Sequence, residues 1–255
     1  MKESTKKNWD DFWDQKSDTK EVYANTDRIR RNLARNMDLP GKRILEVGAG
    51  TGRDSFYMSQ DGATLVLLDY SMNSLKIIRN NLPSTENIGA VGGDAFALPF
   101  PDNSFDAVFH QGLLEHFRKG IAEDLLRENI RVLKPGGLLI VDVPQRWHIY
   151  TVIKHILIAL NAWFAGWERE FSVTELRKLL KDLGLQPVDA YGEWMYPSLV
   201  YRTFREAFYK IGVKLPLYPR LLPPVSRLRE KIRNGMDGTA VKLNTALSIG
   251  LIARK

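Results

Sequence analysis

Short apolar runs punctuate the first half of the chain. Arg43–Gly48, Thr64–Asp69, Ile88–Asp94 and Phe105–Gln111 each close on a small or polar residue, and Leu138–Val143 closes on Pro144. Between them, Asp54–Gln60, Ser71–Asn81 and Ile121–Leu133 carry helical patterns. Near-continuous apolar strands alternating with amphipathic helices predict a parallel sheet covered on both faces. Right-handed crossovers then predict an α/β, doubly wound sheet with ligands at the carboxyl ends of its strands. Lys134-Pro135-Gly136-Gly137 reads as the turn that opens the fifth strand.

After Pro144 the pattern changes. Gln145–Trp167 reads as an apolar, aromatic helix. Ser172, with Glu175 three positions on, predicts a capped helix running to Gly184. Leu185–Trp194 reads as a strand, Tyr201–Gly235 as broken helices, and the last strand is expected within 241–255. The whole is expected to be one domain with a mostly parallel seven-stranded sheet. Residues 1–36 are expected as lid helices, 37–144 as the ligand-binding core, and 145–170 and 195–240 as helical lid or cap insertions.

Charge sharpens this picture at one place. The 255 residues carry +7, and Tyr201–Gly235 alone holds nine basic and two acidic residues, the whole of that excess. There are no cysteines, which excludes disulfides, Cys-ligated zinc and a thiolate nucleophile. Met1–Trp13 is polar and lacks the apolar core of a secretory signal, so a cytoplasmic protein is expected.

The sharpest chemical signal is Glu46-Val47-Gly48-Ala49-Gly50-Thr51-Gly52, where a strand enters a tight glycine turn that opens a helix. Two ligand classes use such a turn. A dinucleotide site wants glycine at the sixth position after Gly48, counting Gly48 as the first, and here that residue is Arg53. Glu46 would repel a pyrophosphate and suits a ligand with an ammonium group.

With Leu68-Asp69-Tyr70-Ser71, Gly93-Asp94-Ala95, Leu98-Pro99-Phe100, Asp102–Asp106, Leu113-Leu114-Glu115-His116 and Arg131–Gly137 in order behind it, the chain resembles the class I S-adenosylmethionine-dependent methyltransferases. Within them it is similar to the small-molecule group that includes the quinone-biosynthesis methyltransferases. The resemblance covers Lys42–Val143 well and Phe171–Tyr191 moderately. It implies a Rossmann-like methyltransferase fold and S-adenosyl-L-methionine as cofactor, with S-adenosyl-L-homocysteine as product. It implies that Glu46, Gly48, Ala49, Gly50 and Gly52 meet the methionine portion. Asp69 and Tyr70 would lie at the ribose, Asp94 and Ala95 at the adenine, and Gln111 beside the sulfonium.

Methyl transfer needs alignment and desolvation, and a base only when the acceptor must lose a proton. His110, at the end of the fourth strand, is the candidate base. Tyr23, Arg28, His148 and Trp163 are candidate acceptor contacts, and no residue spacing suggests a metal site. Aromatic Trp9, Phe12, Trp13 and Tyr23 suit a lid. The acceptor is expected to be small or lipophilic; apolar helices beside a basic segment suggest a large apolar acceptor, or peripheral contact of 201–235 with the inner membrane face. A binding or membrane-associated subunit without turnover, and an RNA methyltransferase, are the competing readings. Nucleic acid is disfavoured because His110-Gln111-Gly112-Leu113 stands where amino-methylating nucleic-acid enzymes carry a proline motif.

Overall fold

The computed structural model describes residues 5–14, 27–81, 87–161, 163 and 165–255. They form a seven-stranded sheet in the order β3-β2-β1-β4-β5-β7-β6. The strands are β1 (Arg43–Val47), β2 (Thr64–Asp69), β3 (Ile88–Gly92), β4 (Phe105–Gln111), β5 (Leu133–Pro144), β6 (Gln186–Glu193) and β7 (Ser248–Arg254). The first five run parallel, and β7 lies antiparallel between β5 and β6. The fold is the doubly wound, Rossmann-like one that the alternating pattern predicts.

Ten helices occur among the described residues. Two precede the sheet, α1 (Lys6–Asp14) and α2 (Arg28–Ala34). Three cross between parallel strands, α3 (Arg53–Gln60), α4 (Met72–Asn81) and α5 (Lys119–Val132). After β5 come α6 (Ile149–Ala159), α7 (Val173–Asp182), α8 (Leu199–Lys210), α9 (Pro223–Gly235) and α10 (Ala240–Thr245). Among the described residues no helix is long and apolar enough to cross a membrane.

Strand alternation splits the core into two layers. Leu45, Val47, Val108, Leu139 and Val141 pack with Leu125 and Leu126 of α5 and Leu176 and Leu180 of α7. Ile44, Leu65, Leu67, Ala107, Phe109 and Ile140 pack with Ile29 and Leu33 of α2 and Met58 of α3. The sheet's carboxyl edge is therefore fixed from both faces.

Several elements differ from the sequence expectation. Lys134–Gly137 belongs to β5, and the pairing with β4 shifts register between Phe105 and Ala107, so the turn is absorbed as an irregularity in the ladder. Residues 240–245 are helical because the Thr239 hydroxyl accepts the Lys242 amide at 3.3 Å and starts α10, so the last strand begins only at Ser248. The post-Pro144 helix is α6 alone, shorter than 145–167. Ser172 caps α7 through the Glu175 amide at 3.2 Å, but the Glu175 carboxylate pairs with Arg146 and Arg169.

Candidate functional site

The glycine turn after β1 has positive φ at Gly48 (68°), Gly50 (53°) and Gly52 (63°), which a side chain would strain. A Cβ on Gly50 would stand 2.9 Å from the Trp13 ring, and one on Gly48 would stand 3.3 Å from Leu113. Asp69, at the end of β2, closes the turn. Its Oδ2 accepts the Gly50 amide and its Oδ1 the Ser71 amide, each at 2.9 Å. Ser71 in turn donates to Asp10 of α1 at 2.6 Å. The first helix is thereby tied across the turn.

These elements enclose a cavity of about 860 Å³. Glu46, Gly48, Ala49, Gly50, Asp69, Tyr70, Asp94, Ala95 and Gln111 line it, with Trp9 and Trp13 of α1 above them. Gly52 does not line it. That residue is the N-cap of α3, and its role is to shape the turn. Asp94 Oδ1 accepts the Phe96 amide at 2.9 Å, which fixes the loop after β3.

Lys6 and Arg53 also line the cavity, but its buried carboxyls are Glu46, Asp54 and Asp69. Glu46 is buried and accepts the Ser55 hydroxyl at 2.5 Å. Burial drives its carboxyl well above the ordinary range, aided by Asp54 and Asp69. Burial also pushes Asp54 up to about 6 and raises Asp69. Three carboxylates crowded into one cavity favour a cationic guest.

A second cavity of about 350 Å³ adjoins the first and shares Trp9, Gln111, Gly112 and His116 with it. Arg28 lies here, paired with Asp142 of β5 through Nε (2.8 Å) and Nη2 (2.9 Å). The Tyr191 hydroxyl donates to the same carboxylate at 2.9 Å. With its amide oriented to satisfy both neighbours, Gln111 donates to Asp54 at 3.2 Å and accepts from Arg28 at 3.1 Å. Gln111 therefore links the two cavities.

The far wall of the second cavity is a buried charge cluster. Lys154 of α6 sits between Glu168 (2.6 Å) and Glu170 (2.7 Å). Trp163 donates to Glu168 at 2.7 Å. Glu115 is buried, its Oε2 has no hydrogen-bond partner, and burial and Glu168 raise its carboxyl well above the ordinary range. His116 lines both cavities, and its Trp9 neighbour meets it edge-on at 4.9 Å. Burial lowers its imidazole below the usual value.

Two candidates from the sequence are displaced. His110 faces neither cavity. It follows Val108 on the strand and pairs with Val141, so alternation turns it into the layer packed by α5 and α7. Both ring nitrogens there lack partners, and burial pushes the imidazole down to about 3. His148 lines neither cavity either, because its Nδ1 accepts the Tyr150 amide at 3.1 Å and caps α6. Tyr23 lies outside the described residues. Arg28 and Trp163 do line the second cavity.

Asp142, Tyr191, Glu115, His116, Lys154 and Glu168 were not singled out as site residues from the sequence. One signal was present. Gly250, alone inside an apolar strand, suggests a close approach by another group. A Cβ there would run into the Tyr191 ring, which crosses Gly250 on its way to Asp142. Among the described residues no group of His, Asp and Glu could hold a metal ion.

Residues 45–141 match a family model described as a methyltransferase domain. That segment is similar to a methyltransferase domain. Over 103 residues the chain is 43% identical to a demethylmenaquinone methyltransferase of Renibacterium salmoninarum, covering 40% of this chain and 41% of that one. Over 139 residues it is 38% identical to the Corynebacterium efficiens demethylmenaquinone methyltransferase, covering 52% of this chain and 56% of that one. The chain thus spans about half the length of the curated relatives it matches. Among solved structures, magnesium protoporphyrin IX methyltransferase from Synechocystis with bound SAH shares the fold at TM-score 0.58 and 15% identity, over 90% of this chain and 80% of that one. A SAM dependent methyltransferase from Archaeoglobus fulgidus gives 0.58 at 17% identity, over 91% and 95%.

Proposed function

We propose that the chain is an S-adenosylmethionine-dependent methyltransferase acting on a small lipophilic acceptor. The observation that carries this reading is the crowding of Glu46, Asp54 and Asp69 around a glycine turn. S-adenosylmethionine has an ammonium and a sulfonium centre, and a cation bound here would draw these raised carboxyls back to their charged forms. The residues fit it in a second way: at Gly48 and Gly50 the backbone is bare where a Cβ would meet Leu113 or Trp13. When bound, the cofactor supplies a methyl group activated by its sulfonium.

The chain's own residues then have separable tasks. Glu46, Gly48, Ala49 and Gly50 would hold the methionine portion, with Gly52 setting the turn. Asp69 keeps lone pairs for ribose hydroxyls beyond the two amides it accepts. Tyr70, Asp94 and Ala95 would bound the nucleoside end. Gln111 stands where the two cavities meet, and α1 excludes water above them.

The second cavity supports an acceptor whose reacting end is polar. Glu115 Oε2 is a buried, unpartnered oxygen that can accept an acceptor hydroxyl and take its proton. A raised carboxyl is the better base for a weak acid. The likeness to demethylmenaquinone methyltransferases supports a quinone-like acceptor with a polar ring and an apolar body. We read the protein as cytoplasmic, with the basic segment 201–235 meeting the inner membrane face.

The test is transfer from methyl-labelled S-adenosylmethionine to a fractionated extract. Label in the organic phase is expected. Label confined to the macromolecular fraction would contradict the reading.

A further inference from the structure

The post-Pro144 helix is turned inside out. On α6 and its C-cap the apolar positions Ile149, Val152, Ile153, Ile156 and Leu160 recur at helical spacing, and all are exposed, Ile149 at 72% and Leu160 at 70%. The opposite face carries Tyr150 and Lys154 into the second cavity. The expected apolar cover over an acceptor is thus a polar wall with its apolar stripe pointing outwards.

The two basic helices repeat the arrangement. On α8 and its C-cap, Val200, Phe204, Phe208 and Ile211 are exposed while Arg202 lines the second cavity. On α9, Val225, Leu228 and Ile232 are exposed, preceded by Leu222 at 72%. Neither α8 nor α9 buries a single residue. Rows of exposed apolar side chains on successive helices mark an interaction surface. The exposed basic residues on these helices and the loop between them are Lys210, Lys214, Arg220, Arg227 and Lys231.

We propose that α6, α8 and α9 together form a docking face for an anionic lipid bilayer, two of whose helices, α6 and α8, also wall the second cavity. This deepens the reading of a lipophilic acceptor and rests on it only for its purpose. Helices with an apolar stripe beside Lys and Arg lie in the headgroup region without spanning it. Charge decides between occupants. A symmetric dimer would set the same +7 segment against itself, whereas anionic headgroups neutralise it. A bilayer-dissolved acceptor would then enter the second cavity between α6 and α8 without crossing water.

The test is co-sedimentation of the full chain with vesicles, either of phosphatidylcholine alone or of equal parts phosphatidylcholine and phosphatidylglycerol. Binding is expected to the mixed vesicles only, and to weaken steeply with salt. Ile156→Glu with Leu160→Glu should abolish it. Lys210→Ala, Lys214→Ala and Lys231→Ala, which touch no apolar residue, should each weaken it about fivefold. Equal binding to neutral vesicles, no binding to either, or a concentration-dependent dimer that buries the stripes would overturn the proposal. Binding to RNA in preference to the mixed vesicles would overturn it as well. Calorimetric binding of S-adenosylhomocysteine to the same preparation separates the two readings. S-adenosylhomocysteine binding without vesicle binding would overturn the docking face alone, and the reverse would overturn the cofactor assignment alone.

Discussion

Arg28 and Asp142 form a two-pronged ion pair at 2.8 and 2.9 Å, almost wholly out of water, at the carboxyl edge of β5. The arginine is the first residue of α2, so this contact ties that helix to the centre of the sheet. Tyr191 completes the carboxylate's shell from β6, passing over Gly250.

Breaking that pair from one side leaves a buried charge. Asp142→Ala is expected to destabilise the fold by about 3–5 kcal/mol. Arg28→Met combined with Asp142→Leu should recover most of that loss, because neither charge then remains unpaired. Urea unfolding of the three variants checks this. Equal stability of wild type and Asp142→Ala would remove the pair's structural role.

The acidic cavity makes stability depend on pH. Burial holds Asp54 up to about 6 against an ordinary 3.8, so the folded protein grips this proton more firmly than the unfolded chain does. Its stabilising contribution is present below pH 3.8 and is lost as the pH rises to about 6, a change of about 3 kcal/mol. Glu46, Asp69 and Glu115 are shifted in the same direction and add to the slope. Asp54→Asn should flatten the dependence between pH 4 and 7 and raise stability at neutral pH. Denaturant midpoints across that range give the answer, and an unchanged slope would contradict it.

Glu115 and His110 make opposite predictions. His110→Leu removes two unpartnered buried nitrogens and should leave methyl transfer within about twofold of wild type. Glu115→Gln should lower kcat by about 10²–10³-fold while leaving S-adenosylhomocysteine affinity unchanged. Rates and calorimetry on both variants decide between the two. A large loss in His110→Leu with none in Glu115→Gln would restore the histidine as base.

What the sequence discloses follows the range of the interactions. The glycine turn, Asp69 and the capping of α7 are legible because each is set within a few residues by backbone geometry. The parallel sheet is legible because burial on both faces leaves unbroken apolar runs. Asp142 is not, since it is one polar residue inside such a run and its partner stands 114 positions away. His110 misleads because the end of a strand does not state which face its last residues take. Register against Val141 settles that only in three dimensions. The stripe on α6 misleads for a related reason: helical spacing shows that a helix has two faces, not which of them turns inward.

The most direct test of the central claim is calorimetric titration of S-adenosylhomocysteine into the full chain and into Asp69→Ala. Binding at one site per chain is predicted for the wild type. In the variant it should weaken by at least about tenfold, because the turn's amides and the ribose would lose one shared carboxylate (about 1.4 kcal/mol or more). No binding to the wild type, or equal affinity in both proteins, would contradict the account.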